Sequence, residues 1–521
     1  MSDAADIRRR RKTITRIATR SPHTTAPVAK NCAKLSLAQL SMNIQSDFQK
    51  RTVPEPSQQT ALLICAIDPY PALCQLMRPI AITLLAAGML NAQGAPTELR
   101  DVAARAYIYA YPLVLLEATR GAMPVNRFTH VPQFPRPDSR QVIRPNADEY
   151  RVSAWLDLSK EPVLIRVPDS AGRFYVLQFM DAWTETFADP GKRTTGTAEA
   201  WFAIIGPGWT GKIPAHVTRY DSPTNIVWLL GRTQTNGAAD YANVRTFQQG
   251  MRIMPLSAYP DGEQKPGSAR AFGSASGETP PDKVKAMDPL AFFAAFAKAM
   301  KANPPHAADA PTVQELTRLG ITAGQDFDAS KLSPDQLQAI NEGAHAASDR
   351  VERMITAAAS TKPGWAGFNS GIGRYGSNYM ARAAIARFAI GANPAEDAIY
   401  LNSSADIAGR PLNGSMRYRM HFDKAGLPPV RAFWSVTAYD QDGYFIANAI
   451  SRYAIGDRDP LKFNPDGSLD LYMQSQSPGP ERQTNWLPSG DGPFNLTIRL
   501  YWPEDAILKG TWHPPALQQM P

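Results

Sequence analysis

The spacing of apolar residues along the chain predicts a β-rich region, a helical region and a second β-rich region. From about Gln141 to Pro260, and again from about Arg417, short alternating or β-branched runs are separated by turns rich in Pro, Gly and Asp. Alternation places successive side chains on opposite faces of a sheet, and strands at such regular spacing indicate a sandwich or a barrel.

Between these two regions the apolar residues recur with the 3.6-residue period of a helix. Asp288 and Pro289 are typical of a helix start and predict a helix through Met300, and a longer helix is expected to begin at about Leu337. A further helical pattern, from Pro96, is expected to stop around Pro112, because proline breaks the hydrogen-bond ladder of a helix.

The expected fold is mainly β with α insertions, in two β-sandwich or jelly-roll-like domains joined by a helical segment. The predicted boundaries are residues 95–260 for an N-terminal helix plus β domain, 261–390 for a linker and helical insert, and 391–521 for a C-terminal β-sandwich domain.

Charge and cysteine are concentrated at the amino end. Residues 1–76 hold eleven Lys/Arg against five Asp/Glu, and all three cysteines. Because the net charge of +8 is thereby reduced to about +1 after Arg78, we do not expect nucleic-acid binding. We interpret residues 1–76 as an over-called or dispensable extension.

A short basic start at Met77 precedes the apolar run Ile80–Leu90 and the small residues Ala92 and Gly94. This pattern predicts a signal peptide at residues 77–94, a periplasmic or secreted product and no membrane span after cleavage. The alternative is an amphipathic targeting leader followed by a buried helix.

Common catalytic motifs are absent from the sequence after residue 76. There is no cysteine for thiol catalysis, and no two histidines stand at metal-ligand spacing, so we predict no metal. Gly371-Ile372-Gly373-Arg374-Tyr375-Gly376 matches a dinucleotide-binding pattern, but no predicted strand precedes it, and we expect no cofactor.

Two segments combine aromatic, charged and hydroxyl side chains, around Asp181–Gly196 and from Phe433 onward. Such mixtures suit sugars and small polar ligands. They could instead fill sandwich cores and tie down loops. The candidate ligand-binding residues are Asn146, Trp183, Arg193, Thr194, Trp434, Arg452 and Trp486.

The same segments resemble a bacterial two-domain family of unknown function. Arg144-Pro145-Asn146-Ala147-Asp148, Asp181-Ala182-Trp183 and Arg193-Thr194-Thr195-Gly196 resemble its N-terminal domain of unknown function 1254. Leu412-Asn413-Gly414-Ser415, Asn485-Trp486-Leu487-Pro488 and Arg499-Leu500-Tyr501-Trp502-Pro503 resemble its C-terminal domain of unknown function 1214. The resemblance implies two β-sandwich-like domains, usually exported. Arg151 departs from the family pattern, which has tyrosine there.

We therefore expect an exported envelope protein that binds a small polar or saccharide-like ligand between its β domains, with a homo-oligomer left open. One alternative is a metal-independent hydrolase or lyase, for which the candidate catalytic residues are Asp148, Asp181, His421 and Arg499. Another is a structural or adhesive surface protein. An enzyme predicts that such a carboxylate meets His421 or Arg499 without other partners. A binding protein predicts aromatic faces and carboxylates already paired with arginine.

Overall fold

The computed structural model describes residues 97–131, 133–140, 143–262, 268–269, 278–358, 364–368 and 370–521. The predicted extension, the predicted signal peptide and the cysteines lie outside the described residues. The predicted fold class is confirmed, because the described chain forms four β-sheets in two sandwich-like domains together with a layer of helices.

The first β domain contains a six-stranded and a four-stranded sheet. Its strands are β1 (Thr129–His130), β2 (Glu149–Asp157), β3 (Val163–Val167), β4 (Tyr175–Asp181), β5 (Thr186–Ala188), β6 (Ala200–Ile205), β7 (Thr218–Asp221), β8 (Ile226–Gln234), β9 (Arg252–Pro255) and β10 (Ser268–Ala269). The strand orders are β10-β1-β2-β8-β4-β5 and β7-β6-β3-β9. Alternation in β2 directs Val152, Ala154 and Leu156 into a buried core shared with Ile165 and Ile204 of the smaller sheet.

The helices are α1 (Thr97–Arg120), α2 (Tyr241–Gly250), α3 (Pro280–Lys285), α4 (Pro289–Ala302), α5 (Ala310–Leu316), α6 (Pro334–Ala358), α7 (Tyr379–Ala389) and α8 (Asp505–Leu508). Helices α3 to α7 all contact α1, and together they form the helical layer. Asp288 caps α4 as predicted, since its carboxylate accepts hydrogen bonds from the amides of Leu290 (2.9 Å) and Ala291 (3.2 Å).

The expected end of α1 around Pro112 is wrong, because the helix continues to Arg120. An internal proline costs a helix about 3 kcal/mol. Leu113, Leu115 and Leu116 are fully buried among the surrounding helices. Burial of each contributes about 2 kcal/mol, so packing of the last turns outweighs the cost of the proline.

The second β domain contains a five-stranded sheet, β11-β12-β18-β14-β15, and a four-stranded sheet, β17-β16-β13-β19. Its strands are β11 (Ala366–Gly367), β12 (Ala398–Ser403), β13 (Arg417–Phe422), β14 (Val430–Asp440), β15 (Ala454–Gly456), β16 (Leu469–Gln474), β17 (Trp486–Pro488), β18 (Phe494–Pro503) and β19 (Gln518–Met520). Val436 and Ile498 of the larger sheet share a buried core with Met420 and Leu471 of the smaller sheet.

The outer faces of the two larger sheets meet along a contact that we call the seam, formed by β2, β4 and β8 of the first domain and β12, β14 and β18 of the second. One part of the seam is aromatic: the Phe433 and Tyr501 rings stack at 4.0 Å, and Phe174 packs against both. The remaining outer face of the first sheet, including the stacked Trp155 and Trp228, covers the helical layer.

Candidate functional site

The first domain contributes charged side chains to the seam. Since Val152 of β2 faces the sandwich core, Glu149 and Arg151 face outward, toward the second domain. In the antiparallel pairing of β2 with β8, Arg151 lies directly opposite Arg232. This register brings two guanidinium groups together beside the Glu149 carboxyl group.

The second domain contributes hydroxyl groups, aromatic rings and one further guanidinium group. Tyr400 on β12, Ser435 on β14, and Arg499 and Tyr501 on β18 alternate with inward-facing core residues of the same strands. Arg499 is opposite both Tyr400 and Ser435 in the strand register. These side chains therefore form one polar patch that faces Glu149 and Arg151.

Asp148 connects the two domains. Its carboxylate is 1% exposed, forms an ion pair with Arg458 and accepts a hydrogen bond from Ser435 Oγ at 2.7 Å. Asn146 supports this arrangement, because its Oδ1 accepts from the Asp148 amide (2.6 Å) and its Nδ2 donates to the Tyr501 hydroxyl (2.8 Å). A buried carboxylate held in this way anchors one β domain to the other.

Arg499 lies deep in the seam, where it is 4% exposed. Its guanidinium donates to Thr437 Oγ1 at 2.6 Å and to the Tyr439 hydroxyl at 2.5 Å. Burial lowers the pKa of Arg499, but Tyr439, Tyr501 and Asp148 raise it by more, so the net shift of the pKa is upward. The group remains a fixed positive charge.

Burial also shifts the other titratable groups of the seam. It raises the pKa of Glu149, raises the pKa of Tyr400 to about 12, and lowers the pKa of Arg151, which Arg232 lowers further. Arg151 and Tyr400 are nevertheless only partly buried.

Asp181 and Trp183 lie away from the seam, where the turn after β4 meets the helical layer. Asp181 Oδ2 is 2.5 Å from His306 Nε2, and Asp181 Oδ1 accepts from the Trp183 amide at 2.9 Å. Trp183 is fully buried and its indole donates to the Pro304 carbonyl. Burial lowers the pKa of His306, but Asp181 raises it by more, so the net shift is upward.

Arg193 and Thr194 lie at the edge of the seam. Arg193 donates to Asp397 Oδ1 at 2.7 Å and to Asp189 Oδ2 at 2.8 Å, while Thr194 donates to the Asp189 carbonyl. Burial raises the pKa of Asp397 to about 7, although Arg193 acts in the opposite direction. These residues tie the first domain to the segment that precedes β12.

Four further candidates belong to the interior or far side of the second domain. Trp434 is part of its core, and the Trp486 indole donates to the Gln474 carbonyl at 2.9 Å. Arg452 donates to backbone carbonyls, including that of Trp486 at 2.9 Å. His421 lies on the smaller sheet, with its Nδ1 2.7 Å from Asp470. Of the eleven candidates, the seam brings together only Asn146, Asp148 and Arg499 at its centre.

Sequence reasoning did not select Glu149, Arg232, Tyr400, Ser435, Arg458 or Tyr501 for the site. The only sequence feature near these residues that stood out was Arg151, which departs from the family pattern. The glycine-rich segment was not expected to bind a dinucleotide, and its Tyr375 and Gly376 amides donate to the Glu185 carboxylate at 2.8–3.0 Å.

A surface depression of about 310 Å³ lies outside the central seam and is lined by Arg173, Lys192 and Gln234, among others. Both of its cations have partners: Arg173 pairs with Asp240 at 2.5 Å, and Lys192 donates to the Gly172 carbonyl at 2.8 Å. Within the described ranges there is no group of three or more metal-ligating side chains and no helix long and apolar enough to cross a membrane.

Two family profiles match the chain. Residues 125–255 match the family described as protein of unknown function (DUF1254), and residues 397–505 match protein of unknown function (DUF1214). The chain therefore combines a DUF1254 domain with a DUF1214 domain. This confirms the resemblance noted from sequence, and it places the seam between the DUF1254 and DUF1214 domains.

Four solved chains match the chain, and two of them are as follows. The VPA0106 protein from Vibrio parahaemolyticus is 24% identical, with a TM-score of 0.63 over 81% of this chain and 100% of that chain, and shares the fold. An uncharacterized protein from Burkholderia cenocepacia is 11% identical, with a TM-score of 0.38 over 80% of this chain and 88% of that chain. A search of curated proteins found no match.

Proposed function

We propose that the protein binds a small polar or saccharide-like ligand in the seam between its DUF1254 and DUF1214 domains. The observation that carries this proposal is the convergence of charged, hydroxyl and aromatic groups from both domains in the seam, around Arg151, Asp148 and Tyr501. Interfaces between domains are common places for small-molecule sites, in which a few polar groups orient the ligand.

The contacts of Asp148 support binding over catalysis. Asp148 is bonded to Arg458 and Ser435, so it is not a free acid or base. The stacked Phe433 and Tyr501 rings lie close by, since the Tyr501 hydroxyl is 3.5 Å from Asp148. A hydrolase or lyase using Asp148 with Arg499 would need a carboxylate without such partners, and these contacts favour binding.

We further propose that the protein is exported to the periplasm or beyond the cell. The support is the basic start and apolar run at residues 77–90. Cell fractionation followed by sequencing of the mature amino terminus tests it. We expect a protein that begins at Ala95, and recovery of uncleaved protein from the cytoplasm would contradict export.

The binding proposal is tested by a thermal-shift screen of the full chain against sugars, organic acids and aromatic acids. A ligand at about 100 times its Kd stabilises a protein by about 2.7 kcal/mol, which raises the melting temperature measurably. Tyr400→Phe should weaken the shift given by any hit, whereas His421→Asn on the far sheet should not. A screen without hits, or hits that Tyr400→Phe leaves unchanged, would favour the structural or adhesive alternative.

A further inference from the structure

Three arginines of the seam, Arg144, Arg232 and Arg499, form no ion pair with a carboxylate of the described residues. Arg144 donates to Asn402 and Thr497, while Arg232 donates to Gln178 Oε1 and the Gly391 carbonyl. The acceptors of Arg499 are likewise hydroxyl and carbonyl groups. Of the two nearby carboxyl groups, those of Asp148 and Glu149, that of Asp148 is already paired with Arg458.

Arg151 is the extreme case. Among the described residues its guanidinium makes no hydrogen bond and no ion pair within 4.0 Å. It also lies directly across from Arg232 in the register of β2 and β8. Like charges placed opposite one another on a sheet are destabilising. The fold therefore holds an excess of positive charge that a bound anion would neutralise.

Uncommitted acceptors lie beside these cations. Glu149 is 2% exposed and its Oε1 has no hydrogen-bond partner among the described residues, while its Oε2 accepts from Asn146 at 3.0 Å. Asn393 is 3% exposed, with its Oδ1 also unpartnered in the described chain and its Nδ2 3.1 Å from the Tyr400 hydroxyl. Buried acceptors in this state require donors, which an inorganic anion alone does not supply.

We propose that the seam binds a small hydroxy-carboxylate of the sugar-acid class, with its carboxylate at Arg151 and Arg232 and its hydroxyl groups at Glu149 and Asn393. This inference rests on the proposed function and names the ligand class for the same site. Arginine binds carboxylates through two parallel N–H donors, so the pair of guanidinium groups selects for this group. The unpartnered Arg232 Nε is one such donor. Hydroxyl groups satisfy the two acceptors.

The test compares three probes by titration calorimetry on the full chain: D-glucuronate, D-glucose and acetate. Glucuronate carries both the carboxylate and the hydroxyl groups, whereas each of the other probes carries only one kind of group. We expect glucuronate to bind about tenfold or more tightly than either, the difference expected for loss of a charge-assisted hydrogen-bonded contact.

Arg151→Gln should weaken glucuronate binding by about tenfold or more, and Arg151→Lys, which keeps the charge but loses the planar fork, should retain part of the affinity. The matched control is Arg219→Gln, at an exposed arginine on β7 of the same domain. Arg151→Gln should melt no lower than the unmodified chain without ligand, since it relieves the repulsion between Arg151 and Arg232. This establishes that lost affinity is not lost folding.

Equal binding of glucose and glucuronate, or full affinity in Arg151→Gln, would overturn the sugar-acid inference and leave ligand binding at the seam intact. Tighter binding of acetate than of glucuronate would also overturn it, because the hydroxyl sites would then play no part. Failure of all three probes, together with a screen without hits, would overturn both the inference and the proposed function.

Discussion

The Asp148–Arg458 ion pair should make a large contribution to the stability of the joined β domains. Asp148→Asn keeps the shape of the side chain and an acceptor for Ser435, but it removes the charge that faces Arg458. Removal of one partner of a buried ion pair costs about 3–5 kcal/mol. Because the Arg458 side chain is 17% exposed and still donates to the Thr235 carbonyl at 2.6 Å, we expect the lower end, about 3 kcal/mol.

The assay is urea denaturation of the single variants Asp148→Asn and Arg458→Met and of the double variant. If the pair is the cause, the double variant should be about 2 kcal/mol more stable than the sum of the two single effects predicts. Asp138→Asn is the matched control: it breaks an exposed pair with Arg136, so it should change the free energy of unfolding by less than about 0.5 kcal/mol. A coupling energy near zero would refute the assignment of Asp148 as the anchor between the domains.

Three other predictions concern residues outside that pair. Because the pKa of Asp397 is raised to about 7, the folded chain holds a proton that the unfolded chain releases near pH 4. The free energy of unfolding should therefore fall as the pH rises from about 4 to about 7, by up to about 1.4 kcal/mol per pH unit. Denaturation of Asp397→Asn at several pH values should give a flatter profile. Because the pKa of His306 is raised on folding, His306 contributes fully to stability below about pH 6.5, and this contribution is lost as the pH rises through the folded pKa. The melting temperature of His306→Asn, measured against pH, should lack this decrease, and a decrease that persists would exclude His306 as its source. Asp288→Ala should cost about 1 kcal/mol in urea denaturation by removing the cap of α4, and a change below 0.3 kcal/mol would show that α4 does not depend on it.

The sequence predicted those features that depend on neighbouring residues. The alternation of apolar and polar residues predicted the strands, and Asp288 followed by Pro289 predicted the start of α4. The prediction that α1 ends around Pro112 was wrong because five helices pack around α1, and this tertiary effect is not visible in the local sequence. The correct predictions therefore rest on local sequence patterns, and the wrong end of α1 results from packing between segments distant in the chain.

The site was predicted only in part because its contacts join distant segments. Asp148 and Ser435 are 287 positions apart, and no local pattern indicates which sheet face will meet another. Trp434 and Trp486 are residue types that are common in binding surfaces, yet both are buried inside the second β domain. His306 gave no signal in its own neighbourhood, because its partner Asp181 is 125 positions away.

The central claim is that a small hydroxy-carboxylate of the sugar-acid class binds in the seam, and a crystal structure of the full chain grown with D-glucuronate tests it most directly. The account predicts ligand density within hydrogen-bonding distance of the Arg151 guanidinium and of Glu149 Oε1, between β2 and β18. Density confined to the surface depression at Arg173 and Lys192, or a seam that holds only water at saturating ligand, would contradict it.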